Sequence, residues 1–200
     1  DVQHDILYTL KDKDITVFFR KDGLSYQFNV HSNAGLTSSH TVSEATGQPE
    51  TENSPEPQRT QHYRVDMVWS GANENTVIKS HNPAQSVSNY YLAHCPKGIL
   101  NVKSFEKIVY SNIYPGIDIA YYINDKGHLK YDVILQAGAD PSLLSYTYTG
   151  ATAQLENGKV RIESPLGFIE EQIPVAWVAS RTNENINVSY RKTKEGLGYH

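Results

Sequence analysis

Two hundred residues are enough for one large domain or two small ones. A hydrophobic content of 38% supports a lean core, and a net charge of -4 without blocks of like charge excludes nucleic acid as the main partner, because phosphate binding needs a basic stripe. One cysteine, Cys95, excludes an intrachain disulfide and a cysteine-rich zinc site, and apolar runs such as VAWVA at 175–179 are too short to span a membrane.

The chain opens on DVQHDILYTL without a signal peptide, as expected of a trimmed start. Period-2 alternation then predicts three short strands, ILYTL (6–10), ITVFFR (15–20) and LSYQFNV (24–30), separated by the polar turns KDKD and KDG. This is a β-meander. Residues 31–62 change character, with four aliphatic residues (Ala34, Leu36, Val42, Ala45) and three prolines (Pro49, Pro55, Pro57). Such a stretch buries too little surface to offset its ordering entropy, so it is expected as a long polar loop or strap, anchored by Leu36, Val42 and the prolines. Residues 1–30 are expected to pack with 63–200 as one β-rich unit.

Alternation returns at YRVDMVWSG (63–71), with Tyr63, Val65, Met67 and Trp69 on one face. TVIKSH (76–81), SVSNYYLAH (86–94), CPKGILNVKSF and EKIVYSNIYPGIDIAYYIN follow as further strands. In the last of these, Ile117, Ile119 and Tyr121 share one face, and Asp118, Ala120 and Tyr122 the other. HLKYDVILQ comes next, then GADPSLL, where Asp140 suits an N-cap and Pro141 the first helical position, predicting one helical turn near 140–144. Beyond it, LENGKVRI is a hairpin with Asn157-Gly158 at its tip, SPLGF is a turn, and GFIEEQIPVAWVAS and INVSYRKTK close the chain. LGYH reads as mid-strand, as in a piece of a longer protein. About thirteen short strands at spacings of roughly 8 to 12 residues predict an all-β, antiparallel β-sandwich-like fold. Val65, Met67, Trp69, Ile117, Ile119, Tyr121, Val133, Leu135 and Trp177 are its expected core.

The sequence carries few signs of catalysis. The eight histidines include no H-x-H or H-x-x-x-H pair, and His94 and Cys95, as strand neighbours, point to opposite faces, so no metal site is expected. No G-x-S-x-G elbow and no phosphate-binding glycine loop occur, so neither a nucleophile nor a cofactor is expected. Carboxylate pairs are the open option for a glycan-active site: Asp118 and Asp132, on the two strands of one hairpin, and the adjacent Glu170-Glu171. Tyrosine supplies 14 of the aromatic residues against 5 Phe and 2 Trp. A phenol has a ring that packs and a hydroxyl that stays wet, which suits half-buried strands and binding faces. Tyr90-Tyr91, Tyr121-Tyr122 and the Tyr146/Tyr148 pair are the candidates for an aromatic platform, against the plainer role of cross-strand packing.

The central motifs, Tyr114-Pro115-Gly116-Ile117-Asp118 with Tyr121-Tyr122, then Leu129-Lys130-Tyr131-Asp132, then Gly138-Ala139-Asp140-Pro141, resemble the N-terminal domain of large bacterial surface and secreted proteins. DITVFFRKDGLSYQF, YRVDMVWSGAN and NYYLAH resemble it too, so the likeness covers most of the chain. One departure is Ala137, where that pattern has proline. Such proteins carry SBBP β-propeller repeats, PKD-like domains and type IX secretion signals. The resemblance implies a non-enzymatic module at the surface of a Gram-negative bacterium, or secreted from it, serving assembly, adhesion or gliding. Its partners would be other domains of the same polypeptide, surface proteins or glycans. Tyr114, Asp118, Tyr122, Asp132, Tyr146 and Tyr148 are the candidate binding residues. A carbohydrate-binding module using exposed tyrosines and a hydrolase using paired Asp are the alternatives.

Overall fold

The computed structural model describes residues 5–32, 59–92, 95–194 and 196–200. The fold is all-β, with 69% of the described residues in strands and 2% helical. The expected meander is present as β1 (Tyr8–Asp12), β2 (Ile15–Phe19) and β3 (Gly23–Ser32), the last pairing with β4 (Arg59–Trp69) from Gly23↔Val68 to Ser32↔Arg59. Residues 31, 32 and 59–62, expected in the polar strap, therefore extend this ladder. The rest of the strap, with Leu36, Val42, Pro49, Pro55 and Pro57, lies outside the described residues.

Next come β5 (Val77–Leu92), β6 (Cys95–Tyr114), β7 (Ile117–Ile123) and β8 (Leu129–Leu135), which form a four-stranded antiparallel sheet in chain order. A 3-10 turn, Pro141–Leu143, follows where it is expected, with the Asp140 carboxylate accepting from the Ser142 N–H at 2.9 Å. Then come β9 (Ser145–Thr149), β10 (Thr152–Glu156), β11 (Lys159–Ser164), β12 (Gly167–Glu171), β13 (Ala176–Val178), β14 (Arg181–Ile186), β15 (Tyr190–Lys192) and β16 (Leu197–Tyr199). The largest sheet runs β1-β2-β3-β4-β9-β16-β15, while β10-β11-β12 form a second small sheet and β13-β14 a two-stranded ribbon. At the β10–β11 turn Asn157 and Gly158 take φ of 50° and 77°, the left-handed pair that a two-residue hairpin requires.

The seven- and four-stranded sheets meet through aromatic side chains. Phe19 packs edge-on to Tyr121 at 5.5 Å between ring centroids, and Trp69 to Tyr131 at 6.0 Å. Val65, Met67, Trp69, Ile117, Ile119 and Tyr121 are buried as alternation requires, because a one-residue slip would expose each set together. Val160 and Ile162 of β11 complete the same core, and Val133 packs half-buried against it. Two expectations fail. Leu135 ends β8, an edge strand of its sheet, and is 43% exposed. Trp177 is 49% exposed, because the β13–β14 ribbon has no third strand, and an apolar run in a two-stranded ribbon need not be buried.

Candidate functional site

On the β7–β8 hairpin, register pairs Ala120 with Asp132 and Tyr122 with Lys130, so Asp118, Tyr122 and Asp132 share the face turned away from the aromatic core. Each carboxylate already has a local partner. Asp132 accepts from the Tyr122 hydroxyl at 3.1 Å, and Asp118 accepts from the backbone N–H of Asn112 at 2.6 Å. Asn112 sits at φ 56°, within the register shift of β6 against β7, so Asp118 holds a bulge in shape. Burial and the Asp132 contact together raise the Tyr122 pKa, which keeps its hydroxyl a donor. Tyr114 lies in the core and offers its O–H to the carbonyls of Ser70 at 2.8 Å and Ser145 at 3.0 Å, tying β6 to the ends of β4 and β9.

Tyr146 and Tyr148 face inward. They belong to a cluster of phenols around one carboxylate, Glu171, at the end of β12. Its Oε2 accepts from Tyr131 at 2.8 Å and Tyr146 at 3.0 Å, and its Oε1 accepts from Tyr148. The Tyr131 and Tyr199 hydroxyls share a further hydrogen bond, and Tyr190 donates to the Gln172 carbonyl at 3.0 Å. Nearby, the buried Trp69 N–H donates to the Tyr121 hydroxyl at 2.9 Å. Thus three sheets are joined at one point: Tyr146, Tyr148 and Tyr199 come from the largest, Tyr131 from the four-stranded sheet, and Glu171 from the β10–β12 sheet. Burial, with the Glu171 charge behind it, pushes the pKa values of Tyr131, Tyr146, Tyr148, Tyr190 and Tyr199 far above the usual phenol range. Neutral phenols are good donors, and charge-assisted bonds to a carboxylate are the stronger kind. The arrangement is a polar fastening inside the fold. Tyr146 and Tyr148 stand edge to face at 78°, so they form no coplanar platform for a sugar ring.

Two open recesses lie among the described residues. One, of about 70 Å³, lies between Leu10, Phe19, Phe105, Lys107, Tyr121 and Leu129. A second, of about 340 Å³, lies beside Glu156, Asn157, Lys159, Arg161 and Glu170, where Lys159 pairs with Glu170 at 2.9 Å. Neither is lined by Asp118 or Asp132. Among the described residues, no three His, Cys, Asp or Glu side chains gather as metal ligands.

The feature that sequence reasoning missed is an arm. TVIKSH and SVSNYYLAH, read as separate strands, form the single strand β5, and CPKGILNVKSF runs on into β6. Shifts of register between Pro83 and Val87 and between Ser88 and Tyr90 absorb the local breaks, and an edge strand tolerates the proline. β6 pairs with β7 only from Lys107 onward, and Phe105 at the root packs against Tyr8 at 6.1 Å. Beyond that point Cys95–Ser104 pairs with β5 alone, which at about 3.3 Å per residue projects about 30 Å. Several of its large side chains are exposed, with Tyr91 at 71%, Leu100 at 51% and Tyr90 at 47%. Gly98 fixes one of these rings. A Cβ there would stand 3.0 Å from the Tyr91 ring carbons, so the glycine lets Tyr91 lie against the ribbon. The signal available in the sequence was composition, since no Asp or Glu occurs from Thr76 to Phe105.

No helix among the described residues is long and apolar enough to cross a membrane. No curated protein and no solved structure matches the chain. A family model described as a domain of unknown function, DUF7948, matches residues 1–200, and on that match the chain belongs to the DUF7948 family.

Proposed function

We propose that this domain is a non-catalytic contact module of an exported protein, displayed at or released from the surface of a Gram-negative bacterium, and serving assembly, adhesion or gliding-type interactions. The single observation that carries the reading is the β5–β6 arm, which projects large apolar side chains into solvent beyond the last strand that could cover them. Monomeric soluble proteins rarely leave such groups clustered without a use. The interior points the same way, because the conspicuous tyrosines and Glu171 are engaged with one another. The resemblance to N-terminal domains of bacterial surface proteins supplies the cellular setting and the expected neighbours, namely further domains of the same polypeptide and other surface proteins.

The test is protease shaving of intact cells of the source bacterium, followed by detection with an antibody against this domain. Loss of the domain from intact cells, or its recovery in the medium, is the expected result. Full protection until the cells are lysed contradicts the reading. A parallel screen of the purified domain on chromogenic glycosides is expected to show no turnover that disappears in the Asp118→Asn or Asp132→Asn variant.

A further inference from the structure

Resting on the reading of the domain as a surface contact module, we propose that the distal β5–β6 arm anchors to the interfacial region of a bilayer that contains anionic lipid. Three observations select this occupant. The first is charge. Between Thr76 and Phe105 the chain has Lys79, Lys97 and Lys103 and no Asp or Glu, although the whole chain has 22 acidic residues against 18 basic. A positive arm on a negative chain is matched to an anionic surface and repels its own copy. The second is the placement of the apolar groups. Tyr90 and Ile99 are register partners and share one face, whereas Tyr91 lies over Gly98 on the other. A ribbon docking onto a protein buries one face and keeps the other polar; a ribbon apolar on both faces suits embedding by its tip. The third is residue type. A glycan platform would use the tyrosines alone, but Val87, Ile99 and Leu100 are exposed beside them at 47%, 48% and 51%. Aliphatic groups gain from the acyl boundary and little from sugar hydroxyls.

The depth of insertion follows from hydrogen bonding. A two-stranded ribbon has open edges, and unpaired backbone groups are too costly in hydrocarbon for it to cross. It stops where tyrosine hydroxyls and lysine ammonium groups meet headgroups, with Tyr90, Tyr91, Ile99 and Leu100 at the acyl boundary, Lys103 among the phosphates, and Lys97, which lies nearer the distal end, reaching back to them along its alkyl stem.

The experiment is sedimentation of the purified domain with vesicles of phosphatidylcholine, with and without phosphatidylglycerol. Binding is expected with phosphatidylglycerol and is expected to weaken with added salt. The double variant Lys97→Gln/Lys103→Gln is expected to lose roughly twenty-five-fold in partitioning, about fivefold per lysine. Tyr90→Ser/Tyr91→Ser/Ile99→Ser is expected to lose binding while keeping the wild-type unfolding curve, since those side chains are exposed, and Trp177→Ser is expected to bind as wild type. Wild-type protein that ignores phosphatidylglycerol vesicles, or arm variants that bind as well as wild type, overturns the proposal. Arm-dependent binding to a soluble glycan or a purified surface protein, with none to vesicles, overturns the lipid assignment and leaves the contact-module reading standing. Protection from shaving on intact cells defeats that reading whatever the vesicles show.

Discussion

Raising the pH should unfold this protein abruptly, and the tyrosine interior sets where. Besides the half-buried Tyr122 on the outer face, burial raises the pKa values of eight interior phenols, those of Tyr26, Tyr110, Tyr121, Tyr131, Tyr146, Tyr148, Tyr190 and Tyr199. Each phenol is neutral in both states below about pH 9, so it adds no pH dependence there. Above about pH 10 the unfolded chain loses these protons while the folded chain keeps them, and stability falls as pH rises. At pH 11 each phenol lowers stability by about 1.4 kcal/mol, and eight together by about 11 kcal/mol, comparable with the entire stability of a typical domain. Circular dichroism and the phenolate absorbance of these eight should therefore change together, in one cooperative step between about pH 10 and 11.5. Ionisation of all fourteen tyrosines with the circular dichroism unchanged would refute the reasoning, since the interior phenols would then be wet.

Three further outcomes follow from the same contacts. Glu171→Gln should cost about 2–3 kcal/mol in urea unfolding, because an amide cannot accept from Tyr131, Tyr146 and Tyr148 at once; combined with Tyr148→Phe the loss should fall short of additivity by about 1 kcal/mol. Tyr114→Phe should cost about 1–2 kcal/mol, read as a lower Tm, and leave vesicle partitioning unchanged, because its hydroxyl serves the Ser70 and Ser145 carbonyls inside the fold. Joining Pro83 to Phe105 through an Asn-Gly turn should shift stability by less than about 1 kcal/mol, because the described residues of the deleted ribbon pair with one another and none belongs to the buried core.

Much of the fold was legible because period-2 alternation and turn chemistry act locally. The meander, the Asn157-Gly158 hairpin and the Asp140-Pro141 turn each follow from a few adjacent residues. What failed was long-range. Trp177 and Leu135 have the hydrophobicity of core residues, and only the number of strands beside them leaves them exposed. The first strand of the arm was cut in two across residues 82–85, around Pro83, because a break in alternation marks a bulge as readily as a turn. The candidate residues divide likewise. Asp118, Tyr122 and Asp132 share an outer face as alternation on the two strands implies. The inward turn of Tyr146 and Tyr148 depends on Glu171, which follows them by more than twenty residues and which the sequence marked only as half of an acidic pair.

The most direct test of the account is hydrogen exchange on the purified domain, alone and bound to outer-membrane fragments of its source bacterium. The account expects new protection confined to the arm, over residues 84–92 and 95–104, with amides elsewhere unchanged. Protection that instead falls on the outer face of β7 and β8 around Asp118 and Asp132, with the arm exchanging as freely as in solution, contradicts it.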